Sequence, residues 1–168
     1  MPTSAPHMAA EAERLAETMV LDGVRHFARG QATRSTAPWT AAQEIYRSAL
    51  GDALGEAAII ALARFVKVMG RCATCPLRVY PAPSGQISRD EVLILGLISG
   101  IQNGDDVTSQ FCLERLCCST LCEEVASAAS IFAFTLKASR QTLRPIPVST
   151  LMRVVDGEAE SAAPRTHH

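Results

Sequence analysis

Apolar positions recur along most of the chain at spacings of three and four, the period of a helix with one buried stripe. The first such stretch runs from Met8 to Arg29, through Leu15, Met19, Val20, Val24 and Phe27, and Gly30 reads as its stop. A second begins near Thr40, after Pro38 and Trp39, with Ala42, Ile45, Tyr46, Ala49 and Leu50 as its stripe. Gly51-Asp52 interrupts it, and the pattern resumes through Ala53–Met69 until Gly70. Gly51 and Gly55, four apart, leave room for a second helix to come close.

Residues 71–87 lose the period. Pro76, Pro81, Pro83 and Gly85 mark them as loop or extended chain. Ser88-Arg-Asp-Glu91 then forms a capping box, in which serine accepts from an early backbone N–H and glutamate reaches back. The run Val92–Ile101 is apolar on nearly every face, so it predicts a central buried helix that Asn103-Gly104 closes. A shorter helix follows from Asp105 or Asp106 to about Cys117, with Phe111, Cys112, Leu113 and Leu116 as its apolar positions. Thr120-Leu-Cys-Glu123 reads as a second capping box, leading a helix that ends near Lys137–Arg140. Pro145 and Pro147 break the chain, and Val148–Val155 holds one or two amphipathic turns.

The pattern therefore predicts an all-α fold, an irregular or orthogonal bundle of five to six helices. Its expected limits are 9–140 for a single helical domain. Residues 1–8 read as a disordered N-terminus, and 141–168 as a Pro-punctuated, largely disordered C-terminal tail.

Composition narrows the class. The 168 residues are 48% apolar and 20% charged, enough for one core, while aromatics at 5% make that core aliphatic and alanine-based. Sixteen Lys+Arg against seventeen Asp+Glu give a net charge of −1, which argues against non-specific nucleic-acid binding. No run approaches the ~18 apolar residues of a membrane span, and no secretory signal precedes the first helix, so a cytoplasmic protein is expected.

The candidate chemistry lies in six cysteines within 51 residues, in the pattern C-x2-C-x36-C-x4-C-C-x3-C. Cys72 and Cys75 sit on the loop after a helix, and Cys117, Cys118 and Cys122 straddle a helix junction. Four thiolates suit a tetrahedral zinc, so Cys72, Cys75, Cys118 and Cys122 form the expected ligand set, with Cys117 as the alternative. An iron–sulfur cluster is a second use of the same thiolates. Cys72 and Cys75 also have the spacing of an attacking and a resolving thiol, although no βαβ pattern surrounds them. Cys112 fits an ordinary buried thiol on an apolar stripe.

Histidines are scarce: His7, His167 and His168 lie in the expected tails, and His26 is on a helix without companions. A Cys–His or Ser–His pair thus lacks its base, and there is no phosphate-loop or dinucleotide fingerprint. Asp90-Glu91, Asp105-Asp106 and Glu123-Glu124 each fall in a first helical turn, where the helix dipole accounts for acids. Residues 88–118 have the length of a helix-turn-helix, but the second helix offers only Gln110 and Arg115 behind two acids. Arg64, Lys67, Arg71 and Arg78 make a basic run around the C-x2-C loop, readable as a solvated helix end, as a patch for an anionic partner, or as a field lowering the thiol pKa values.

Taken together, the residues point to a small non-enzymatic regulatory or adaptor-like protein that contacts another protein or a second copy of itself. The alternatives are a thiol-based redox sensor or oxidoreductase using Cys72 and Cys75, and a metal-containing transcriptional regulator.

Overall fold

A computed structural model of the chain describes residues 5–72 and 76–162. Among the described residues every regular element is a helix: α1 (Ala5–Thr33), α2 (Ala37–Leu50), α3 (Asp52–Met69), α4 (Arg89–Asn103), α5 (Asp106–Leu116), α6 (Cys122–Ala138) and α7 (Val148–Ala162). The helical bundle is as expected, with seven helices where the pattern predicts five to six. None of them is long and apolar enough to cross a membrane, among the described residues.

The boundaries follow local chemistry where that chemistry is self-contained. Gly51 adopts φ +80 and separates α2 from α3. Ser88 and Glu91 form both halves of the capping box at the start of α4, and Gly104 ends that helix in the left-handed region. Elsewhere tertiary contacts override the local signal. Gly30 does not stop α1, which continues to Thr33. It is instead the place where Trp39 lies against the helix: a Cβ on Gly30 would fall 2.1 Å from the indole Nε1. Leu15, expected on the buried stripe, is exposed, and Ala16 takes the buried position beside Met19 and Val20. Thr120 does not cap α6, whose N-cap is Leu121 with no side-chain cap; the Thr120 hydroxyl is engaged with the Cys118 thiol instead.

Helices α1, α2 and α3 pack as consecutive neighbours, α6 lies across α3 and α4, and α5 packs on α4. Phe132 of α6 stacks on Phe65 of α3 with ring centroids 6.1 Å apart, and Tyr46 of α2 packs against the same Phe132 ring at 6.5 Å. The buried Tyr46 hydroxyl donates to the Met19 carbonyl at 3.2 Å, so its polar end has a partner. Helix α4 runs through the middle, buried from Leu93 to Gly100.

The expected tail from residue 141 is a correction. Leu143 and Leu151 are fully buried, and α7 packs on α4 and α5. Gln102 of α4 reads this segment directly: its amide donates to the carbonyls of Ala133 and Gln141, and its oxygen accepts from Leu143 N at 2.8 Å. Ser99 Oγ donates to the Arg144 carbonyl at 2.8 Å. The prolines redirect the chain into a further helix rather than releasing it. At the other end, α1 already begins at Ala5, and residues 1–4 of the expected N-terminal tail lie outside the described residues.

Candidate functional site

The long connection between α3 and α4 and the short one between α5 and α6 meet at one corner of the bundle. Cys72 follows the end of α3, buried, with its N–H on the Met69 carbonyl at 3.3 Å. Cys117 caps α5 in an extended conformation, and its N–H and thiol both point back to the Leu113 carbonyl. Cys122 opens α6, and its Sγ lies 3.4 Å from that of Cys117. That separation is a contact between two thiols, well beyond the ~2.05 Å of a disulfide. Cys72 is close enough for its charge to act on Cys117. Burial first, then the hydrogen bond with Cys122, pushes the Cys117 thiol up to about 12. A thiol held protonated in this way is a weak nucleophile at neutral pH.

Of the cysteines expected to converge, the structure brings Cys117 to Cys122, with Cys72 nearby. Cys118 is turned toward Thr120 at 3.2 Å. Cys75 lies outside the described residues. Among the described residues, no group of three or more His, Cys, Asp or Glu side chains is placed to hold a metal ion. Cys112 stands apart, fully buried on α5 against Gly96 of α4.

The connection leading into α4 is held by a buried ion pair that sequence spacing does not reveal. Arg25 of α1 donates to Glu91 through Nε at 2.6 Å and Nη2 at 3.2 Å, and both side chains are almost wholly enclosed. The same guanidinium donates to the carbonyls of Ser84 at 3.1 Å and Gln86 at 2.7 Å. Glu91 also accepts from the N–H groups of Tyr80 and Ser88. Asp90 accepts from Arg78 N at 2.9 Å, and Ser88 Oγ donates to the Arg78 carbonyl at 2.6 Å. Each carboxylate oxygen of Glu91 and Asp90 therefore meets at least one donor, which is the condition for carrying charge inside a protein. The residues involved lie 66 apart in sequence, and no local pattern links them.

Between this connection, the start of α4 and the end of α5 runs a groove of about 750 Å³, with Arg78, Arg89 and Arg115 on its walls. It lies beside the cysteine corner, since Leu116 lines it and Cys117 follows. The basic run expected around the C-x2-C loop is split by the fold: Arg71 pairs with Glu124, while Arg78 faces the groove. No family model, curated protein or solved structure matches this chain.

Proposed function

We propose that this is a small non-enzymatic regulatory or adaptor-like protein whose cysteine corner is a zinc staple, joining the chain after α3 to the α5–α6 junction. One observation carries the reading: Cys117 and Cys122 lie 3.4 Å apart at the α5–α6 junction, with Cys72 close enough for its charge to act on Cys117, and a metal would have to draw these thiols into a ligand group that they do not form by themselves among the described residues. Two thiolates on one tetrahedral zinc at ~2.3 Å stand roughly 3.8 Å apart, close to that spacing. Cys72, Cys75, Cys117 and Cys122 are the set this favours, with Cys118 replacing Cys117 as the alternative. The raised Cys117 pKa argues against that thiol as an attacking nucleophile at neutral pH. The adaptor role draws support from α6, where Ile131 and Phe134 stand exposed three residues apart on one face, an apolar pair available to another protein or to a second copy.

Elemental mass spectrometry on protein purified without air and without a histidine tag tests the staple. The expected result is about one zinc per chain, lost together with thermal stability in C117S and C122S. Metal-free protein with all thiols reduced overturns it and returns the corner to redox chemistry.

A further inference from the structure

The groove between residues 76–80, the start of α4 and the end of α5 carries an arrangement that the folding of the chain does not use. Three guanidinium groups, from Arg78, Arg89 and Arg115, line it against one carboxylate, Asp90. Three cations less one anion leave an excess of two positive charges, in a chain whose net charge is −1. Like charges gathered on one concave surface repel one another, and an anion between them reverses the sign of that energy.

The three arginines are also prepared in different ways. Arg115 lies over the Phe111 ring, 3.6 Å from its centroid, with Nη1 on the Phe111 carbonyl at 3.1 Å. The stack and the single bond fix the plane of its guanidinium and leave its other N–H groups to spare. Arg89 holds Asp90 through Nη1 at 3.2 Å. Arg78 anchors its backbone to Asp90 and Ser88, while its exposed guanidinium makes no hydrogen bond or ion pair with the described residues. The capping box takes the N–H groups of Ser88 and Glu91 at the start of α4, so the site rests on the arginine side chains.

We infer that this groove binds a small molecule bearing a phosphomonoester, held by Arg78, Arg89 and Arg115. A phosphomonoester carries about −1.5 to −2 at neutral pH, which matches the excess charge, whereas a single carboxylate matches half of it. The planar fork of arginine takes phosphate oxygens two at a time. The groove is of the size of small-molecule sites, roughly 300–1,000 Å³. This reading stands independently of the zinc staple.

Calorimetric titration of the full chain with phenyl phosphate, at constant ionic strength, tests it, with benzoate as the monoanion of like shape. Saturation at one site is expected, with benzoate bound about tenfold or more weakly. R78A, which removes an exposed side chain, and R115A should each weaken phenyl phosphate about tenfold while the far-ultraviolet circular dichroism stays unchanged. Equal binding of benzoate, a response without saturation, or undiminished binding in R78A overturns the proposal. A short DNA duplex that displaces phenyl phosphate at lower concentration overturns it too, by assigning the groove to a nucleic-acid backbone.

Discussion

Cys112 illustrates how far a single residue can be read from its neighbours in sequence, and where that reading stops. Its place on the stripe with Leu116 is enough to predict an ordinary buried thiol, and it is fully enclosed. What encloses it is invisible locally: a Cβ on Gly96 would stand 2.8 Å from its sulfur, so the absence of a side chain there is what admits the thiol. Burial pushes its pKa from 9.0 up to about 12. The folded state thus keeps a proton that the unfolded chain gives up, and stability falls as pH rises from the unfolded toward the folded value. Urea unfolding of metal-free protein should accordingly show lower stability at about pH 10.5 than at about pH 8, and Cys112→Ala should reduce that slope without abolishing it, since burial raises Cys117 and Tyr46 in the same direction. The pairing of Cys117 with Cys122 was less accessible to sequence reasoning. Choosing between a C-x4-C and a C-x3-C spacing depends on where α6 begins, and the apparent capping box at Thr120 places that start one residue early.

At the scale of elements, signals completed within four residues were legible and signals completed across the bundle were not. The capping box of α4 and the glycine that ends it depend on adjacent residues alone, and they were expected as found. Gly30 looks the same as a helix terminator, but its meaning is set by Trp39 in the next helix. The C-terminal prolines mislead for a related reason. Pro145 and Pro147 do interrupt the helix where they stand, yet Gln102 and Ser99 supply the partners that hold the backbone of residues 141–144, just before them, on α4. Helix α7 then buries Leu151 completely. Truncation by Leu151→Ala should therefore cost about 2–5 kcal/mol of stability, as for a core leucine, when measured by urea denaturation; a tail residue would cost nothing measurable.

At the scale of the molecule, the all-helical class followed from hydrophobic period, while the connection that shapes the groove did not. It depends on Arg25 and Glu91, which meet only once α1 and α4 are in place. Removing one partner of such a pair leaves the other charged and enclosed, so Glu91→Ala should cost about 3–5 kcal/mol. Amide hydrogen exchange should localise the damage: the N–H groups of Tyr80 and Ser88, which donate to Glu91, should exchange faster than those of α3.

The same guanidinium has a bearing on how this chain can vary in length. Exposed connections between helices are ordinarily where insertions and deletions accumulate, because their backbone bonds only to water. Here Arg25 holds the carbonyls of Ser84 and Gln86 at once, so two residues at the exposed tip are spaced by a side chain from another helix. An added or missing residue between them would put one of the two carbonyls out of reach. The turn at 84–86 is thus constrained in length like an element of the core, although it lies on the surface.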